Sequence, residues 1–300
     1  MKKKSIVAAI SALSLIVSMN IGIGSVFAGE QNTVPGTAEQ PFVVTDGLFD
    51  QTKTESDLGL SKIEGAETVT VFTATDDTDH YCNGVVMTEF KGKLYTQWQS
   101  SAKDEDAEDT WVAYSVSDDN GATWSEPKVL VPTIDNGYCS SGGWFVSGDT
   151  LVSYINVWYS DTTPRGGFAY YVESTDGEHW SEMKPVLMKD GSPLEGIIEQ
   201  DPHVLASGRI VNAAHFQPGL FAYPIYTDDP SGTKGWVKAQ YTCMEQGEGA
   251  TTSREMEPSL FVNEDGTIVM TFRDQKSSFV RLAAISTDQG KTWSETVSTN

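Results

Sequence analysis

The run Ser117-Asp118-Asp119-Asn120-Gly121-Ala122-Thr123-Trp124 returns near the end of the chain as Ser286-Thr287-Asp288-Gln289-Gly290-Lys291-Thr292-Trp293. A shortened copy, Ser174-Thr175-Asp176-Gly177-Glu178-His179-Trp180, lies between them, and each copy runs directly into Ser-Glu. Trp236 stands 56 residues after Trp180 and 57 before Trp293, matching the 56 that separate Trp124 from Trp180. Its preceding stretch, Thr227-Asp228-Asp229-Pro230-Ser231-Gly232, reads as a degenerate copy with the glycine displaced. Four periods are therefore present. Asp and Ser side chains can bond a turn's own amides, Gly accepts a backbone conformation that a Cβ disfavours, and Trp can plug the turn against an apolar layer. These carboxylates are expected to be structural.

Working outward from the turns, each period holds short strand-like segments. In the first they fall at Gly84–Phe90, Lys93–Ser101, Thr110–Ser117 and Pro127–Pro132. Four strands repeated every 56 residues describe an all-β propeller, whose blades bury their faces on one another. Residues 67–300 are assigned to the propeller and 29–66, rich in Gln, Thr, Gly and acids, to a linker. Thr68–Ala74 alternates well enough to be a strand that closes the ring. Residues 1–28 form a basic start, Met1–Lys4, followed by an apolar stretch ending in Val26-Phe27-Ala28. That pattern is expected to be a signal peptide cleaved after Ala28, giving a secreted, extracellular protein without a membrane span.

The chain of 300 residues carries 20 Lys plus Arg against 42 Asp plus Glu, a formal charge of −22. Such a balance argues against nucleic acid or an anionic membrane as partner, since both require a basic footprint. There are three cysteines, Cys82, Cys139 and Cys243, with no metal-ligand spacing among them. No metal or other cofactor is expected, and a calcium ion is not called for.

The repeated turn is the Asp-box, and on the strength of these copies the chain resembles the sialidase-like superfamily of Asp-box (BNR-repeat) propellers. The resemblance implies a sialidase-type propeller of which four blades are visible, a six-bladed ring if complete, and a glycan or glycoconjugate as partner. Because four periods end at Asn300, the chain is expected to be C-terminally incomplete. Blade one also departs from the family, reading Tyr81-Cys82-Asn83-Gly84 where members carry an Arg-Ile-Pro segment.

In a propeller the starts of inner strands and the ends of second strands meet at one mouth of the central channel. Stepping back 20 residues from each Trp, and reading the inner-strand starts, marks His80, Asn83, Asp104, Asp106, Trp158, Tyr159, Asp201, His203, His215, Arg254, Glu257 and Arg273. By resemblance, Glu257 would polarise a nucleophilic Tyr and Arg273, with Arg254 near it, would hold a sugar carboxylate. Asp104 or Asp106 would serve as the acid/base. His203 and His215 are further catalytic candidates, while His80, Asn83, Trp158 and Tyr159 are candidates for substrate contact. The resulting expectation is an exo-α-sialidase-like hydrolase acting on terminal acidic sugars. A lyase that cleaves uronate glycans by β-elimination fits the two histidines, and a non-catalytic glycan binder fits aromatics such as Trp144, Trp158 and Tyr159. Arg209 is expected on the opposite face. Cys82 and Cys139 each lie about 42 residues before a Trp and are expected to form a disulfide.

Overall fold

The computed structural model describes residues 36–42, 47, 50, 52–54, 64–75, 78–244, 247–278 and 280–299. The leader and most of the linker lie outside these residues. Blade 1 consists of β1 (Tyr81–Phe90), β2 (Lys93–Ser101), β3 (Trp111–Ser117) and β4 (Lys128–Val131). Blade 2 holds β5 (Gly137–Ser147), β6 (Thr150–Tyr159), β7 (Phe168–Ser174) and β8 (Lys184–Pro185). In blade 3 the inner strand is split into β9 (Gly196–Ile197) and β10 (His203–Val204), both paired with β11 (Ile210–Phe216), and β12 (Phe221–Thr227) and β13 (Val237–Lys238) follow. Blade 4 comprises β14 (Glu255–Val262), β15 (Ile268–Asp274), β16 (Arg281–Ser286) and β17 (Val297–Ser298). Each blade is an antiparallel meander, so the protein is an all-β propeller of the sialidase type with four blades.

Strand periodicity explains how the blades hold together. Successive side chains of a strand point to opposite faces. On β6, Leu151, Ile155 and Val157 enter the core shared with blade 1, while Val152 and Tyr154 enter the core shared with blade 3. The buried polar residues obey the same parity: Ser153 donates to Gln97 Oε1 of blade 1 at 2.8 Å, and Asn156 turns to blade 3. Asn156 Nδ2 donates to Ile198 O at 2.8 Å and its Oδ1 accepts from Ile198 N at 2.9 Å. A third core, with Val211, Ala213 and Tyr241 against Leu260, Met270 and Phe272, joins blades 3 and 4. A middle strand is thus packed on both faces, which accounts for the unbroken buried runs of β2, β6 and β11.

The repeated turns join the third and fourth strands of their blades. Asp119 accepts from Thr123 N and Thr123 Oγ1 at 2.8 and 2.7 Å, and Ser117 Oγ accepts from Gly121 N at 2.8 Å. Asp288 accepts from Lys291 N, Thr292 N and Thr292 Oγ1, and Asp176 from Glu178 N and His179 N, in the same way. In the degenerate copy Asp229 serves Ser231, and the fully buried Trp236 donates to Gly232 O at 2.8 Å. Amide bonds hold Asp119 and Asp176 below the ordinary carboxylate range. Gly121 and Gly290 sit at φ +86° and +82°, where a Cβ is disfavoured.

Two expectations fail here. Thr68–Ala74 forms no strand; its alternation instead presents Phe72, which stacks on Trp98 with ring centres 5.9 Å apart. Cys82 and Cys139 form no disulfide. Cys139 is fully buried in the core between blades 1 and 2, whereas Cys82 is exposed, 3.9 Å from Ser100 Oγ. Matching positions in neighbouring blades do not bring their sulfurs face to face. Cys243 is also free.

Candidate active site

Every inner strand breaks its register at one place. The irregularities fall between Asn83 and Val86 in β1, between Ser141 and Gly143 in β5, and between Met256 and Ser259 in β14. In blade 3 the strand parts altogether over Ile198–Pro202. A bulge re-aims side chains that regular pairing would bury, and these four all face one cavity of about 1820 Å³. Ser141 Oγ donates to Gly84 O at 2.5 Å, and Trp144 N donates to Asp201 Oδ1 at 2.6 Å, so three of the irregular segments are tied to one another.

Of the residues marked from the sequence, Asn83, Asp106, Trp158, Asp201, His203, His215, Glu257 and Arg273 line this cavity. His80, Asp104, Tyr159 and Arg254 do not. Tyr159 follows Trp158 on β6, and strand parity sends it to the blade 1 side, against Phe168. Asp104 pairs with Lys103 at 3.4 Å at the surface. Arg254 forks onto Asp274, with N–O distances of 3.0 and 2.5 Å, and holds that carboxyl well below its ordinary value. Nor are the aromatics exposed: Trp144 and Trp158 are buried and Tyr159 is half-buried. Arg209, as expected, lies elsewhere, forked onto Asp228 and donating to Gln289 O of the last Asp-box.

The structure adds residues that the spacing rule missed. Arg165, in the loop after β6, donates to Asp106 Oδ1 and, at 2.6 Å, to Tyr138 Oη, with its guanidinium 4.8 Å above the Trp158 ring. Tyr138 Oη donates to Asp106 Oδ1 at 2.7 Å. Burial first, then that bond, pushes the phenol above its ordinary value, so it keeps its proton at neutral pH. Glu105 accepts from Asn83 Nδ2 at 3.1 Å. The Pro164-Arg165-Gly166-Gly167 stretch was the available signal for Arg165, since a cation between a proline and two glycines marks a shaped loop.

Across the cavity, Arg273 donates to Glu257 Oε1 at 2.6 Å and to Gln275 Oε1 at 2.7 Å. Glu257 sits at φ +48°, a conformation costing a non-glycine residue about 1–3 kcal/mol. Between these two edges lies the parted segment of blade 3. His215, whose side chain is 1% exposed, places Nδ1 3.0 Å from Glu199 Oε2, so the two are paired in the wall of the cavity. Burial would raise the Glu199 carboxyl, but the fields of His215 and Arg273 prevail and hold it below its ordinary value. Asp201, two residues on, lacks such cations, and burial lifts it to about 6 despite the bond from Trp144 N. His203 is lowered by burial. One cavity wall thus carries a carboxylate held ionised and another that keeps its proton to mildly acidic pH, the division of labour that acid–base chemistry requires. Among the described residues no cluster of His, Cys, Asp and Glu has the arrangement of a metal site.

Residues 92–300 match the BNR repeat-like domain. The chain belongs to that family. Solved structures similar to this BNR-repeat chain include a protein of unknown function from Dyadobacter fermentans, with TM-score 0.61 and 15% identity over 76% of this chain and 71% of that one. The Hadza microbial sialidase Hz136 superposes with TM-score 0.55 and 18% identity, over 75% of this chain and 48% of that one. The intramolecular trans-sialidase from Ruminococcus gnavus gives 0.54 and 14%, over 76% and 73%. The chain spans about half the length of the Hadza sialidase. At these identities the likeness is one of fold. No curated protein sequence matches the chain. Among the described residues no helix is long and apolar enough to cross a membrane.

Proposed function

We propose that this BNR-repeat propeller is a secreted glycoside hydrolase of the sialidase-like kind, cleaving a glycosidic bond in its central cavity. The observation that carries this reading is the Glu199 and Asp201 pair on one cavity segment, with proton affinities driven apart by their surroundings. Asp201 protonates the leaving oxygen, and Glu199, kept ionised beside His215, acts as base or nucleophile. Asp106 and Glu257, expected from the family resemblance to act directly in catalysis, are instead assigned to holding Arg165 and Arg273. Asn83, Trp158 and His203 supply substrate contacts.

The test is a panel of fluorogenic glycosides, sialosides included. Asp201→Asn and Glu199→Gln should each lower kcat by about 100-fold or more while the thermal midpoint stays within a few degrees. Activity should fall as pH rises through about 6, where Asp201 loses its proton. Unchanged turnover in both variants would sink the assignment. His215 beside Glu199 also suits proton abstraction in an eliminating lyase; formation of an unsaturated uronate, seen by its far-UV absorbance, would replace hydrolysis with that reading.

A further inference from the structure

A single peptide unit joins three blades at the cavity wall. The Gly143–Trp144 peptide of β5 donates its N–H to Asp201 Oδ1 at 2.6 Å, and its carbonyl oxygen, Gly143 O, accepts from Gln97 Nε2 of β2 at 2.8 Å. Ser153 Oγ of β6 donates to Gln97 Oε1 at 2.8 Å, which turns the amide so that its nitrogen meets Gly143 O. Gln97 and Ser153 are fully buried. An amide in that position carries a desolvation cost that an apolar side chain of similar volume would avoid, and its two bonds are what offset it. Gly143 sits at φ +118°, and a Cβ there would come within 2.8 Å of Asp201 Oδ1 and 3.0 Å of Gln200 O. The backbone thus lies directly against the gap segment, at a glycine pair, Gly142-Gly143, whose torsions leave the peptide plane free to turn. The bonds at its two ends fix that plane. They also reinforce each other, because a donor on the carbonyl polarises the peptide and strengthens the N–H on its far side.

We infer that Gln97 is a positioning residue for Asp201, acting from two blades away by holding the Gly143–Trp144 peptide with its N–H on that carboxyl. This rests on the reading of Asp201 as the acid and goes beyond it in naming what sets that acid's strength. The other charged and titratable groups around the gap are Glu199 and His203 on the same segment, Tyr154 of β6, His215 of β11, Glu257 of β14 and Arg273 of β15. Tyr154 donates to Gly232 O and burial keeps its proton in place, Arg273 holds Glu257, and His215 and Arg273 act on Glu199. Against Asp201 the Trp144 N–H is the contact that opposes burial, since a carboxylate accepts more strongly than its acid form. Without Gln97 that N–H weakens or turns away, and Asp201 holds its proton to higher pH.

The measurement is a carbon NMR titration of the aspartate carboxyls in the whole protein, with the Asp201 signal identified by its loss in Asp201→Asn. Gln97→Met keeps the volume and removes the amide. It should raise the Asp201 midpoint by about half a unit to one unit and move the Trp144 amide proton upfield. Ser153→Ala, which frees the Gln97 amide to turn over, should move both signals the same way by a smaller amount. Leu151→Ala, in the same core two residues from Ser153, should lower the thermal midpoint at least as much and leave the Asp201 titration where it was. An unmoved or lowered Asp201 midpoint in Gln97→Met, or an equal rise in Leu151→Ala, overturns the inference; should Gln97→Met not fold, the same readings in Ser153→Ala decide it. Hydrolysis is judged separately: a raised midpoint with no cleavage of any glycoside overturns the catalytic reading and leaves this one standing, and cleavage with an unmoved midpoint does the reverse.

Discussion

Each blade departs from regular pairing in two places, the turn between its third and fourth strands and the irregularity of its inner strand. The two differ in what they repeat. The turns repeat residue types, and their carboxylates are spent on amides within four positions, as for Asp119 and Asp288. The inner-strand irregularities repeat only a position. They carry Asn83-Gly84, Ser141-Gly142-Gly143, a gap holding Glu199 and Asp201, and Glu257, and their polar groups reach to other blades or into the cavity. A local hydrogen-bonding task has one chemical solution, so it recurs; a site assembled from four blades needs a different group from each.

Substitutions at the two kinds of place should separate accordingly. Trp236→Ala, at a fully buried turn plug, should cost about 3–5 kcal/mol in denaturant unfolding and lower activity only in proportion to the unfolded fraction. Asn156→Ala should cost about 2–4 kcal/mol, because the Ile198 N–H and C=O both lose their buried partner. It should also lower kcat, since Ile198 precedes Glu199; an unchanged kcat would break the link drawn between blade packing and site. Asp288→Ala should cost about 1–2 kcal/mol and leave kcat within twofold of the parent.

The smallest effect concerns pH. The Asp201 carboxyl binds its proton more tightly folded than unfolded, so protonation favours the fold. That increment is whole below the ordinary value of 3.8 and is gone once pH has risen through about 6. Relative to Asp201→Asn, the parent should therefore lose stability across that interval; parallel curves would count against the raised carboxyl.

The same contrast explains what was legible in the sequence. Spacing of Trp124, Trp180, Trp236 and Trp293 set the blades, and strands in blade 1 fell within three residues of their expected starts. Stepping back a fixed distance from each Trp found Arg273, His215 and Trp158, because each second strand ends about 20 residues before its blade's Trp. It failed at Asp104, which pairs with Lys103 at the surface, and at Tyr159, which strand parity turns from the cavity, while reading inner-strand starts failed at Arg254, whose guanidinium goes to Asp274. Arg165 and Glu199 escaped it altogether. One sits on a loop and the other in a strand gap, and neither place is tied to the period.

Asn156 makes with Ile198 the pair of bonds that one peptide unit makes with another across a sheet, so a side chain of one blade stands in for a strand at the edge of the next. The segment carrying Glu199 and Asp201 is thereby fastened at one end to blade 2 and at the other to β11 through His203. It behaves as a short bridge with fixed abutments. Its span can exchange residues, and hence chemistry, while the masonry on either side keeps its form, so new specificities should arise between Glu199 and Pro202 more readily than anywhere else on the cavity wall.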